Sequence, residues 1–329
     1  MPLHRIHLLA TGGTIAGTAA SPAQTTGYAA ATLPVDLLCS AVPGLGDVAH
    51  LSTEQVAAID SKDADPAFWQ RLAGAAQAAL DDHHVDGIVI SHGTDTLEET
   101  AFYLHLVLKS AKPVVMVGAM RPATSLSADG PLNLLNAVRV AAAHDAAGRG
   151  VLVVMNQTIF GARDVAKTNC VRADAFAAPD TGPMGLVLDA RVVWLARPQR
   201  AHGPATPFDA QTPLAPVDVL VAYAGMPARM VEAVVQGGAR GVVLAGAGNG
   251  SVSVAMHAAL REARQAGVAV VRASRTGSGY VMPGGGCDDV ADGFCTADTL
   301  SPYKARILAM LALGAGCRLE DLQGVFETF

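Results

Sequence analysis

Leu9-Ala10-Thr11-Gly12-Gly13-Thr14-Ile15-Ala16-Gly17 and Ile90-Ser91-His92-Gly93-Thr94-Asp95-Thr96 are the two stretches on which the reading of this chain turns. Each follows a short apolar run, residues 6–10 and 87–90, of the kind that forms a strand buried on both faces of a parallel sheet. In open α/β sheets, ligands bind beyond the carboxyl ends of the strands. Glycine at such a turn lets backbone N–H groups approach a ligand closely, and a hydroxyl there becomes a nucleophile when a base lies near. Thr14 and Thr94 are therefore the candidate reacting groups, and the chain reads as a hydrolase built around two threonines.

Outward from these turns, strand and helix signals alternate, which predicts a parallel sheet with helices on both faces. Strands are expected at residues 6–10, 87–90, 114–117 and 151–155, and helices at 34–40, 66–80, 97–108 and 131–143. Three of those helices begin at a proline, the favoured residue of a first turn. Residues 17–33 are rich in Ala, Thr, Ser and Gly around the aromatic Tyr28, and read as a mobile lid over the first turn. Residues 158–193 read as a β-hairpin excursion. Five prolines, Pro198, Pro204, Pro207, Pro213 and Pro216, mark a linker. A second α/β unit follows, with strands at 217–222, 241–245 and 268–272 and helices at 228–236, 252–265 and 302–313. The expected division is residues 1–196, a linker at 197–216, and 217–329.

The 329 residues suffice for about two domains, each with its own core. Hydrophobic residues make up 51% and charged residues only 16%, below the roughly 25% of an average soluble domain. Extensive burial follows, through covered sheets and through subunit contacts. A net charge of −6 without any basic stripe argues against nucleic acid and membrane surfaces as partners. No apolar run reaches the roughly 20 residues of a membrane span, and the first strand begins too early for a secretory signal, so a cytoplasmic protein is expected. The odd set Cys39, Cys170, Cys287, Cys295 and Cys317 has no CxxC spacing and reads as reduced thiols.

Local chemistry competes with function at several positions. Thr96 and Glu99 have the spacing of a capping box, which leaves Thr94 and Asp95 unassigned and favours a functional role for that pair. Asp129-Gly130-Pro131 reads as a helix start. Gly118-Ala119-Met120 follows a strand and offers N–H groups to a developing oxyanion. Lys167 by itself reads as a solvated charge, and His92 as a hydrogen-bonded structural residue. Residues 246–251 form a glycine pattern without the lysine of a P-loop. No histidine or cysteine group has metal-ligand spacing, so no metal is expected.

Together these segments resemble the bacterial-type L-asparaginase family, the threonine amidohydrolases. The resemblance runs nearly end to end, through residues 10–17, 92–96, 117–122, 127–131 with Asn133, 162–167, Gly248-Asn249-Gly250, and Pro302 with Lys304-Ala305-Arg306. It implies an α/β protein with a larger flavodoxin-like N-terminal domain, its sheet parallel-rich, and a smaller α/β C-terminal domain. It implies hydrolysis of L-asparagine, and in many members more slowly of L-glutamine, through a β-aspartyl ester and without a cofactor. By motif match, Thr14 corresponds to the nucleophile and Tyr28 to its activating partner, while Thr94, Asp95 and Lys167 form a second triad. Ser61 and Asp95 match the positions that hold the substrate's α-carboxylate and α-amino groups, with Lys62 and Asn249 alongside. The backbone N–H groups of Thr94 and Ala119 match an oxyanion hole. The family commonly assembles as tetramers, dimers of dimers, in which a neighbour completes each site.

Two departures from the family pattern stand out. Lys62 replaces the frequent glutamine and would either pair with the substrate carboxylate or point away. Residues 277–286 lack the partner-supplied acid, leaving Asp288, Asp289 or Tyr280 as candidates. A lysine accepts a proton only when neutral, a form favoured by burial and disfavoured by a neighbouring carboxylate, so the residues leave open which threonine attacks first. Rival readings are a nucleotide-binding protein with Asp36 at the ribose, and an amidotransferase subunit, which typically carries an extra domain ahead of its first Thr-Gly-Gly-Thr.

Overall fold

The computed structural model describes residues 2–329. The chain forms two compact units, the first ending at Ala210 and the second spanning Gln211–Phe329. Strands of the first unit are β1 (His4–Gly12), β2 (Ala49–Ile59), β3 (Gly87–Ser91), β4 (Val114–Val117), β5 (Val151–Met155), β6 (Thr158–Gly161), β7 (Ala166–Lys167), β8 (Phe176–Ala177), β9 (Gly185–Leu188) and β10 (Arg191–Trp194). Its helices are α1 (Val35–Ser40), α2 (Leu45–Val48), α3 (Pro66–Asp81), α4 (Leu97–Val107) and α5 (Gly130–Ala141).

Eight of these strands form one sheet in the order β10-β9-β6-β5-β4-β3-β1-β2. From β2 through β5 every pairing is parallel; β6, β9 and β10 continue it antiparallel. The order 2-1-3-4-5 places the reversal of strand order between β1 and β3, where a crevice opens beyond the carboxyl ends of the strands. Thr14 and Thr94 follow those two ends. Strands β3, β4 and β5 are buried at every residue, as their Val- and Ile-rich runs require when helices cover both faces. The core joins Leu8, Val89, Val115, Leu134, Val138 and Leu152.

Helix starts follow local chemistry in some places and not in others. Asp65 caps α3, its carboxylate accepting the Phe68 N–H at 2.7 Å, with Pro66 in the first turn. At Thr96, where a capping box is expected, the threonine side chain makes no cap bond. Its hydroxyl instead donates to the Ser61 carbonyl at 2.8 Å, a tertiary partner that outcompetes the local one. The long strand β2 was not expected from the sequence. It is an edge strand, exposed along its middle, and carries no buried apolar run.

The second unit contains a parallel sheet of β11 (Val217–Val221), β12 (Gly241–Gly246), β13 (Ala269–Ser274) and β14 (Cys295–Thr296) in sequence order. Around it lie α6 (Arg229–Gln236), α7 (Val254–Gln265), α8 (Asp289–Asp292), α9 (Pro302–Gly314) and α10 (Leu322–Thr328). Its core includes Leu244, Val270 and Leu260.

The glycines of the two turns are set by close approach. A Cβ on Gly13 would lie 2.3 Å from the Gly93 Cα, and one on Gly93 would lie 2.5 Å from the Ser61 Oγ. Gly13 also has φ +76, which an L side chain rarely adopts. Gly13→Ala is therefore expected to cost on the order of 3 kcal/mol, read as a lowered urea midpoint. Gly74→Ala, in open space within α3, should leave the midpoint unchanged or slightly raised. Equal midpoints for the two variants would refute the steric account.

Candidate active site

The crevice between β1 and β3 holds a cavity of about 260 Å³. Thr14, Tyr28, Asp60, Ser61, Thr94, Asp95 and Lys167 line it, with Thr25, Thr26, Met120, Cys170 and Val171 among its other walls. Thr14 opens a short 3-10 turn directly after Gly12-Gly13. The Gly13 N–H donates to the Ile59 carbonyl at 3.0 Å, which ties the end of β1 to the end of β2 and so to Asp60 and Ser61. Ser61 in turn accepts the Asp95 N–H at its Oγ, 3.2 Å away. Three chain segments are thereby fixed around one space.

Each threonine hydroxyl has its own partner. The Thr14 Oγ1 lies 2.6 Å from the Tyr28 hydroxyl. Burial raises the Tyr28 phenol above its ordinary range, the Thr14 bond acts against that, and the charges of Asp95, Asp60 and Asp129 add to the rise. The phenol therefore keeps its proton at neutral pH and meets Thr14 as a neutral hydroxyl. The Lys167 Nζ donates to the Thr94 Oγ1 at 2.9 Å and to the Asp95 Oδ1 at 2.6 Å. Lys167 is carried on the two-stranded β7–β8 ribbon, and its own N–H donates to the buried Glu98 at 2.8 Å.

The lid segment is held down by backbone bonds, Ala31 N–H to the Gly13 carbonyl at 3.0 Å and Thr18 N–H to Ala29 at 2.9 Å. It also reaches the loop after β4, where the Leu126 N–H meets the Pro22 carbonyl at 3.0 Å. Asp129 occupies the N-cap of α5 yet caps nothing in its own helix. Its carboxylate accepts the Met120 and Arg121 N–H groups, each at 3.0 Å, and so shapes the loop carrying Ala119. Neither the Thr94 nor the Ala119 N–H has a protein acceptor among the described residues.

Behind Thr94 runs a directed chain of hydrogen bonds. The Trp69 indole donates to the Thr100 hydroxyl at 3.0 Å, which meets the His92 Nε2 at 3.1 Å, and the His92 Nδ1 lies 2.7 Å from the Gly93 carbonyl. Burial pulls the His92 ring down to about 4, only partly offset by the Gly93 bond. A neutral ring with its proton on Nδ1 satisfies every bond in this chain.

The remaining candidates lie elsewhere. Lys62 does not line the cavity; its ammonium pairs with the Asp60 carboxylate, and its side chain is 63% exposed. Ala119 is fully buried in the loop after β4. Asn249 belongs to the second unit, where its side chain receives the Met282 N–H at 2.7 Å and donates to the Met282 carbonyl. In the same unit the Arg272 guanidinium meets the Asn249 carbonyl at 2.8 Å and pairs with Asp289. The guanidinium thus binds carbonyls of the glycine loop while Asp289 neutralises its charge. Asp288 caps α8, and Tyr280 is 49% exposed. His257, Cys287 and Asp292 bring three metal-capable atoms together. Asp292 is already shared between His257 at 2.6 Å and Arg261 at 3.0 Å, so its carboxylate has protein partners on both sides.

Residues 5–200 match the family model for the asparaginase N-terminal region, and residues 216–326 match that of the glutaminase/asparaginase C-terminal domain. A Haemophilus influenzae protein named probable L-asparaginase periplasmic is 43% identical, covering 99% of this chain and 93% of the relative. A glutaminase-asparaginase of Pseudomonas fluorescens is 42% identical over 98% of this chain and 90% of its own length. The crystal structure of a probable cytoplasmic L-asparaginase from Campylobacter jejuni superposes with a TM-score of 0.96 at 42% identity, covering 99% of this chain and 100% of that one.

The depressed His92 gives a pH dependence of definite sign. Between its ordinary 6.5 and about 4, the unfolded chain binds a proton that the folded ring refuses. Stability is thus complete above 6.5 and falls as pH drops toward 4, by on the order of 3 kcal/mol from this group. Urea midpoints across that range should fall less steeply for His92→Gln than for the natural protein. Parallel slopes would refute the assignment.

Proposed function

This chain belongs to the asparaginase family of amidohydrolases, and from that premise we propose that it hydrolyses L-asparagine to L-aspartate and ammonia through a threonine ester. One observation carries the reading: two threonine hydroxyls, each bonded to its own proton-handling partner, line a single small cavity. Thr14 is the nucleophile. Its Oγ1 attacks the side-chain amide carbon while its proton passes to the Tyr28 oxygen and the phenolic proton passes on to the leaving nitrogen, a relay that keeps the phenol neutral. The carbonyl oxygen becomes negative and is met by the free N–H groups of Thr94 and Ala119. Collapse breaks the C–N bond, nitrogen leaves as ammonia with the transferred proton, and a β-aspartyl ester remains. Water, oriented by Thr94 with Lys167 and Asp95, then cleaves the ester and returns the proton to Thr14.

Ser61 and Asp95 hold the α-carboxylate and α-ammonium of the substrate. Fixed just beyond the carboxyl ends of β2 and β3, they set the distance from the α-carbon to Thr14, so one added methylene misplaces the amide. The Pseudomonas fluorescens relative named glutaminase-asparaginase makes L-glutamine the second substrate to weigh. The family resemblance implies assembly as a homotetramer, a dimer of dimers; Tyr223, Met282 and Val290 are exposed apolar side chains of the second unit. The five unpaired thiols suit a reducing, cytoplasmic setting.

Thr14→Ala and Thr94→Ala should each lower ammonia release from L-asparagine roughly 10³-fold or more, with unchanged thermal midpoints. Near-normal turnover in both folded variants would refute the mechanism. kcat/KM for L-asparagine should exceed that for L-glutamine about 10–200-fold, and a ratio below one would favour the glutaminase reading. Sedimentation at micromolar concentration should give a tetramer rather than a monomer.

A further inference from the structure

Two lysine–aspartate pairs border the cavity, and only one of them takes part in the mechanism above. Lys167 and Asp95 both line the wall. In the second pair, Asp60 lines the wall while Lys62, bonded to its carboxylate, stays outside. Asp60 is held in place twice. The neighbouring Ile59 carbonyl is fixed by Gly13, and the Asp60 carboxylate also receives the Lys62 N–H. The Asp60 charge is felt inside, being one of those that act on Tyr28.

Amide hydrolysis changes the charge of what sits there. The substrate is a zwitterion of zero net charge. Water replaces the leaving ammonia, and the acid product carries one further carboxylate. We propose that Asp60 is a specificity-determining charge that disfavours the anionic product relative to the zwitterionic amide, with Lys62 setting how much of that charge the cavity feels. The proposal rests on the amidohydrolase reading of this cavity. Lys62 then acts through Asp60 as a positioning residue and does not touch the substrate. An exposed pair of this kind exerts a moderate, salt-screened influence.

The test compares L-aspartate and L-asparagine on the full-length protein in Asp60→Asn, Lys62→Gln and the double variant. Aspartate affinity is read by calorimetry, and asparagine by KM and kcat. Asp60→Asn, which leaves an unopposed ammonium, should tighten aspartate binding about three- to ten-fold. Lys62→Gln, which leaves a bare carboxylate, should weaken it by a similar factor. The double variant should return near the natural value, and the differences should shrink in high salt. Asparagine KM should move less than aspartate affinity in every variant. The proposal is overturned if both single variants shift aspartate binding in the same direction, if asparagine KM follows aspartate affinity by the same factor, or if no form of the protein binds aspartate. Natural protein that binds aspartate but releases no ammonia would defeat the amidohydrolase reading, while the calorimetric shifts would still decide the role of Asp60.

Discussion

The backbone contact between Gly13 and Gly93 is the constraint on which the rest of the site depends. Two parallel strands deliver their carboxyl ends to the same level, but side chains would hold the following turns apart. With hydrogen in place of Cβ on both, the turns close on one another and on Ser61. Everything reactive then follows in register: Thr14 after one glycine, Thr94 after the other, and Ser61 in the seam. The two hydroxyls border one cavity because the main chains behind them touch.

Charge and hydrogen bonding finish what that contact begins. Four groups behind the seam are paired in a consistent direction, from the Trp69 indole through Thr100 to a neutral His92 and on to the Gly93 carbonyl. Asp129 leaves its own helix uncapped to hold the neighbouring loop. Glu98, buried in the first turn of α4, fixes the backbone of Lys167 from a distance of 69 residues in sequence. Asp129 and Glu98, both at the start of helices, are thus used to hold backbone N–H groups of other segments, because a buried donor left without an acceptor costs more than an unmade cap.

That substitution explains which parts were legible in the sequence. The strands beneath the two turns read clearly, since burial on both faces leaves an unbroken apolar signal, and glycine at their ends marks close approach. Strand β2 did not, because an edge strand needs no such run. Thr96 matched the pattern of a cap, and no local pattern could show that the Ser61 carbonyl would be nearer. Lys167 was visible only through the family resemblance, and Glu98 not at all, since both depend on a ribbon folding back onto α4. Lys62 is legible as a departure from the family pattern, but a polar loop carries no sign that its ammonium pairs with Asp60, two residues away.

The Trp69 end of the buried chain gives the molecule an internal optical probe. The protein has two tryptophans. Trp194 lies beneath the Arg149 guanidinium, 3.8 Å from the ring centroid, on the antiparallel extension of the sheet. Trp69 stacks on Tyr103 and is wired through two hydrogen bonds to the turn that carries Thr94. Its emission is therefore expected to respond to a change in the geometry of that turn, while the cation above Trp194 gives the second indole a different surrounding. A shift in wavelength or decay time on ligand addition would then report on the cavity with no label attached.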